Sequence, residues 1–188
     1  MAKLHIKNMV CDRCIQTVDR ILTKNGLTIS NLKLGEVNVE QDDFEINKDR
    51  LDWQLREVGF ELIYDKDEQL VAQIKAAMIR LLERLENGEH QFKISVMLAE
   101  DLKLNYQQIS RTFSEVTGDT VEKYFLKLKV ERVKELITYD ELTLSEIAWK
   151  MGYSSVQHLS TQFKQLTGLT VREFKSPENE ERTRLDEI

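Results

Sequence analysis

Two stretches of this chain repeat each other. From Leu98 it reads LAEDLKLNYQQISRTFSEVTGDTVEKYF, and from Thr143 it reads TLSEIAWKMGYSSVQHLSTQFKQLTGLTVREF. Ala99 matches Ala148, Ile109 matches Leu159, Phe113 matches Phe163, Gly118 matches Gly168 and Val121 matches Val171. The offset is 49 residues before the central turn (148 − 99) and 50 after it (163 − 113), so the downstream turn holds one extra residue. Apolar positions, a Thr-Gly stop and the following valine recur together, which marks one supersecondary module used twice.

The downstream copy shows what the module is. Leu144, Ile147, Ala148 and Met151 fall on one side of a helix, and Thr143 with Glu146 fits a capping box at its start. A tight turn at Gly152 leads to a second helix from about Ser155, which carries Leu159, Phe163 and Leu166 inward, and Gly168 fits its left-handed stop. Two short helices joined this way form a helix-turn-helix, whose second helix enters a DNA major groove. Between the copies, Val121 to Thr138 reads as one helix with Leu126, Val130, Val133 and Ile137 among its apolar positions. Its length of ~27 Å, set against ~34 Å between successive major-groove faces, predicts a spacer between two readers.

The first reading helix turns Gln107, Gln108, Ser110 and Arg111 away from the Ile109/Phe113 face. Arginine pairs well with guanine, and glutamine with adenine. Asn105 and Gln108 also fit a capping pattern, which would engage Gln108 with the backbone. The second helix offers Val156, Gln157, His158, Ser160, Thr161 and Lys164, with Ser154 and Gln157 repeating the capping pattern. Val156 or Thr161 could meet a thymine methyl, while Lys164, Lys150 and His158 suit phosphate. Each has a plainer alternative as a solvated helix residue.

Tandem units containing SEIAWKMGYSS, FKQLTGLTVREF and KVERVKELI resemble the DNA-binding domain of AraC/XylS-type transcription regulators, over about residues 91–175. The resemblance implies sequence-specific regulation of transcription, double-stranded DNA as partner, RNA polymerase as a candidate second partner, and no enzymatic activity. It places Arg111 at a position that commonly contacts DNA. Val171 stands where that family usually has proline, and Thr161 where relatives often carry arginine.

The N-terminal third has a different pattern. A strand over residues 3–10, a helix from about Asp12 to Lys24, one or two strands from Leu27 to Val39 hinged at Gly35, a helix from Asp49 to Val58 and a strand from Phe60 to Tyr64 predict a small α+β sandwich. Cys11 and Cys14 stand in Met9-Val10-Cys11-Asp12-Arg13-Cys14, between the first strand and first helix. With Val58-Gly59-Phe60, this resembles the heavy-metal-associated domain, a ferredoxin-like fold, over about residues 3–64. Asn8 stands where that family prefers glycine, and Val10 where it prefers a small polar residue.

Two thiolates separated by two residues can converge on one ion, and a helix N-terminus with Arg13 beside them is expected to lower the thiol pKa. Thiolates alone suit Cu(I), whereas Zn(II) wants two further ligands, for which His5 is a candidate. A redox pair closing into a disulfide and a pair of plain reduced cysteines remain the alternatives. So does a metal carrier whose helical half binds protein.

Residues Asp67 to Leu85 predict a helix with Val71, Ile74, Met78, Leu81 and Leu85 in a 3,4,3,4 spacing. That spacing fits either a short coiled-coil seam forming a homodimer or a helix packed on its own domain. The fold class expected is α+β: a ferredoxin-like domain over 1–65, a connecting helix over 66–90, an all-α tandem helix-turn-helix domain over 91–175 and a flexible tail over 176–188. Net charge is −6, yet residues 90–175 hold 12 Lys/Arg against 11 Asp/Glu. Binding there must come from placement of charge, not its bulk. No apolar run approaches the ~20 residues of a membrane span, no secretory leader is expected, and two cysteines fit a reducing cytoplasm.

Overall fold

The computed structural model describes residues 1–176; the tail expected over 176–188 lies, from residue 177 on, outside the described residues. The chain forms two compact units, each discontinuous in sequence. One comprises Met1–Ala77 with Leu98–Gly118, the other Met78–Met97 with the residues from Asp119 onward. No helix among the described residues is long and apolar enough to cross a membrane.

The first unit begins with β1 (Ala2–Lys7), α1 (Asp12–Lys24), β2 (Ile29–Lys33), β3 (Glu36–Val39), a 3-10 turn at Asp43–Glu45, α2 (Lys48–Arg56) and β4 (Glu61–Leu62). The strands make one sheet in the order β2-β3-β1-β4, antiparallel throughout. Leu4 pairs with Val37 and Ala2 with Val39. Side chains alternate along a strand, so these residues and Ile6 share one face, and all are buried. Val18 and Leu22 of α1 and Leu51 and Leu55 of α2 are buried too, with α1 against β2 and α2 against β4.

The opposite face carries His5 paired with Glu36, both buried. It is covered by α3 (Lys66–Glu86). Gln73 Nε2 lies 3.5 Å from His5 Nδ1. At Gly35, in the left-handed region with φ 76°, a Cβ would come 3.6 Å from the Ala72 carbonyl oxygen. Burial lowers the His5 pKa. Burial raises that of Glu36, but ion pairs with Lys3 (3.0 Å) and Lys33 (3.4 Å) outweigh it and leave the carboxyl below its usual range.

The expected stripe of α3 (Val71, Ile74, Met78, Leu81 and Leu85) is buried within the single chain, as are Ala76, Ala77, Ile79 and Leu82. A helix apolar on nearly every side belongs to an interior. Of the two readings of that spacing, the packed helix is the one realised, and the stripe is not left bare for a second copy.

The rest of the first unit holds the upstream module. It consists of α4 (Ile94–Leu102), whose last residues lie in this unit, and α5 (Tyr106–Thr117).

The second unit contains α6 (Val121–Tyr139), α7 (Leu144–Lys150), α8 (Val156–Thr167) and α9 (Val171–Phe174). Ile147, Met151, Leu159, Phe163 and Phe174 are buried to 1% exposure or less. The end of α3 is clamped to α6 by a two-bond fork from Arg132, whose Nε and Nη2 donate to Glu86 at 2.7 and 2.8 Å; Arg132 also pairs with Glu135. Hydrogen bonds to Glu86 and Glu135 hold the guanidinium pKa above its ordinary value.

The capping box read at Thr143 is formed: its Oγ1 accepts from the Glu146 N–H at 3.3 Å, and the Glu146 carboxylate accepts from the Thr143 N–H at 2.7 Å. Thr143→Ala should lower stability by about 1 kcal/mol, read as a shift in the urea midpoint at unchanged slope.

Two details differ from the sequence expectations. β4 is only Glu61–Leu62, and Tyr64 is already exposed beyond the sheet edge. Leu166, expected inward, lies in the last turn of α8 at 36% exposure. Phe174 of α9 instead packs edge-on against Phe163, ring centroids 5.5 Å apart.

Candidate nucleic-acid interface

The two modules share the bonds that close their turns and stop their second helices. In the upstream turn Lys103 takes the left-handed conformation (φ 53°), and in the downstream turn Gly152 does (φ 65°). The next residue then donates back into the first helix: Leu104 N to Ala99 O at 3.2 Å, and Tyr153 N to Ala148 O at 2.8 Å. Glycine is needed only at the second site. There a Cβ would lie 3.1 Å from Leu85 Cδ2, in addition to the strain that a side chain meets at positive φ. Both second helices close on a left-handed glycine, Gly118 and Gly168. Thr117 Oγ1 donates to Phe113 O at 2.7 Å, and Thr167 Oγ1 to Phe163 O at 2.8 Å.

On α5, Ile109 and Phe113 are fully buried, while Gln107, Gln108 and Arg111 are exposed and Ser110 is half-buried. Arg111 has a 74% exposed side chain and, among the described residues, a loose i,i+4 approach of 3.7 Å to Glu115. Asn105 caps the helix by accepting from the Gln107 N–H, so the expected box with Gln108 does not form and the Gln108 side chain remains outward. Thr112, which no apolar pattern singles out, is buried beside Phe113.

On α8, Gln157, His158, Thr161 and Lys164 are exposed, while Val156 and Ser160 are half-buried. The cap is Ser155, which accepts from the His158 N–H at 3.1 Å; the expected Ser154–Gln157 pairing does not form. Ser154 Oγ instead lies 3.1 Å from His158 Nδ1. Next to this helix is an open groove of about 870 Å³, lined among others by Thr161, Lys164, Arg172 and Lys175. The sequence reading missed Arg172 and Lys175 because they lie past the second helix; three cations within fifteen residues were the available signal. Lys175 is paired with Asp140 at 2.7 Å.

The two cysteines come together at the other functional candidate. Cys11 is the exposed N-cap residue of α1, Cys14 is half-buried in its first turn, and the sulfurs are 3.4 Å apart. Burial pushes the Cys14 thiol pKa up, against the expected lowering by the helix dipole and Arg13. Asn8 keeps the left-handed backbone (φ 69°) that glycine would supply, and its Nδ2 donates to Gly59 O at 3.0 Å, tying the cysteine loop to the turn before β4.

No group of three or more His, Cys, Asp or Glu among the described residues is arranged to hold a metal. His5 is engaged on the covered face of the sheet, so it gives no third ligand. The donor set fits a soft ion satisfied by two thiolates and does not fit four-coordinate Zn(II).

Residues 98–176 match the sequence profile of a family described as "Helix-turn-helix domain". The chain is 26% identical over 78 residues to the HTH-type transcriptional activator RhaS of Escherichia coli O139:H28, covering 42% of this chain and 28% of that protein. RhaS of Escherichia coli strain SE11 matches to the same extent. The chain thus spans little more than a quarter of these curated relatives. Among solved structures, the C-terminal domain of AraT, a response regulator from Geobacillus stearothermophilus, aligns with a TM-score of 0.48 and 20% identity, covering 59% of this chain and 87% of that one. Residues 98–176 thus match a helix-turn-helix domain.

Proposed function

We propose that the chain is a cytoplasmic, sequence-specific transcription regulator of the AraC type that binds double-stranded DNA through α5 and α8. The observation that carries this reading is the duplicated module, each copy burying a Phe-centred face and leaving a polar face on its second helix. Gln107, Gln108, Ser110 and Arg111 are the proposed contacts of the first reader. Val156, Gln157, His158, Ser160, Thr161 and Lys164 are those of the second, with Arg172 added as a phosphate contact from the neighbouring groove. In this reading 91–175 act as the DNA-binding domain, 66–90 as a connecting helix and 1–65 as a sensory domain. The order β2-β3-β1-β4 with two helices supports a ferredoxin-like assignment for the last.

A duplex selected from a randomised pool by the full-length protein tests this directly. Arg111→Ala should weaken binding to that duplex by about 1–3 kcal/mol and relax preference at one base pair. An equal loss on every sequence would reassign Arg111 to the phosphate backbone. Failure of the wild type to select any duplex would end the DNA-binding reading.

A second element of the proposal concerns the N-terminus. The convergence of two sulfurs on an exposed loop favours response to a soft ion, Cu(I) in particular, held by Cys11 and Cys14. When bound, such an ion would supply a two-thiolate cross-link between the loop and α1.

A further inference from the structure

Lys129, on α6, places its ammonium 4.1 Å from the centre of the Tyr153 ring. Tyr153, the residue after the turn glycine, is 7% exposed, and its hydroxyl has no partner among the described residues. The edge of the Tyr153–His158 contact is nearly perpendicular, at 89° with 5.4 Å between centroids. His158 is further held through Nδ1 by Ser154 Oγ at 3.1 Å. A half-buried cation, a buried aromatic ring and an exposed histidine on the first turn of α8 thus form one line of contacts.

The cluster is costly to keep. Burial lowers the Lys129 pKa to about 8 and raises that of Tyr153 to about 12. Lys129 makes no ion pair among the described residues, so the ring face is what its charge meets. A methionine would fill the volume of the lysine stem without desolvating a charge. Fold stability alone therefore gives no reason for a lysine here.

We infer that Lys129 is a positioning residue for the second reading helix, fixing through the Tyr153 ring the orientation of His158 so that its outer nitrogen donates to a DNA phosphate. Ser154 Oγ lies within hydrogen-bond distance of His158 Nδ1, and in the tautomer in which Nδ1 accepts from that hydroxyl the ring hydrogen sits on Nε2. The inference rests on the DNA-binding reading, but its structural part is measurable without DNA.

The test uses the full-length protein and the duplex it selects from a randomised pool. The chain has three histidines, so the His158 ring signals are assigned by comparison with His158→Gln. Lys129→Met should melt no lower than wild type, shift the His158 ring resonances, and weaken duplex binding about three- to tenfold, the range of one hydrogen bond. Lys129→Arg should restore both the resonances and the affinity.

In a His158→Gln background, Lys129→Met should cost nothing further. Unmoved His158 resonances, or the same loss of affinity with His158 already replaced, would overturn the inference. Should Lys129→Met melt early, Lys129→Gln carries the same comparison. If the wild type selects no duplex, the DNA-binding reading falls, and the resonance shifts alone decide whether Lys129 positions His158.

Discussion

Phe163→Ala is expected to cost about 3–5 kcal/mol of stability. Phe163 is 1% exposed, sits mid-way along α8, and meets Phe174 edge-on at 5.5 Å. Truncation removes the transfer free energy of the ring and leaves a cavity that Leu159 and Phe174, both buried, can fill only by moving the helix that carries the proposed contacts. The loss should therefore be larger than for any single contact residue on the outer face. Urea unfolding with an unchanged slope measures it, and Leu166→Ala, on the same helix but 36% exposed, is the control, expected within about 1 kcal/mol of wild type. A Phe163→Ala protein that loses under about 1 kcal/mol would show that this ring does not anchor α8.

Much of this architecture could be read from the sequence because the same pattern occurs twice. Ile109/Leu159 and Phe113/Phe163 predict which side of each helix is buried, and Gly118/Gly168 predict where each ends; the burial and backbone angles agree at all six positions. The fold of the N-terminal sheet was legible for a different reason. α1 is bounded by Cys11 and Asn25 where the sequence places it, and Gly35 does separate two strands.

What was not legible depends on non-local packing. A 3,4,3,4 spacing on α3 looks the same whether the partner is a second copy or the chain's own core; only the burial of Ala76, Ala77, Ile79 and Leu82 around the rest of the helix separates the two. Serine caps at adjacent positions differ in sequence by one residue, and the backbone chose Ser155 over Ser154, which freed Ser154 to hold His158. Lys129 sits between Leu128 and Val130 with nothing in its neighbours to signal that it faces an aromatic ring.

Replacing both cysteines, Cys11→Ser with Cys14→Ser, should abolish stoichiometric Cu(I) binding altogether while leaving the fold in place. Cys11 is exposed and Cys14 half-buried, so serine at both costs little packing. No group of three or more His, Cys, Asp or Glu among the described residues offers the ion an alternative cluster. Titration of reduced protein with Cu(I) against a competing chelator gives the affinity, and a chemical melt of the double variant gives the control.

The pH dependence adds a sign. Ligation requires thiolates, so binding releases protons, and burial has raised the Cys14 pKa. Apparent affinity should accordingly climb as pH rises toward the thiol range and weaken as it falls. A flat profile would mean that Cys14 is not a ligand. Loss of two mass units on mild oxidation, with no Cu(I) retained at any pH, would turn the pair into a disulfide switch. Retention of neither ion nor disulfide would leave Asn8 and Gly59 bracing a loop with no chemistry of its own.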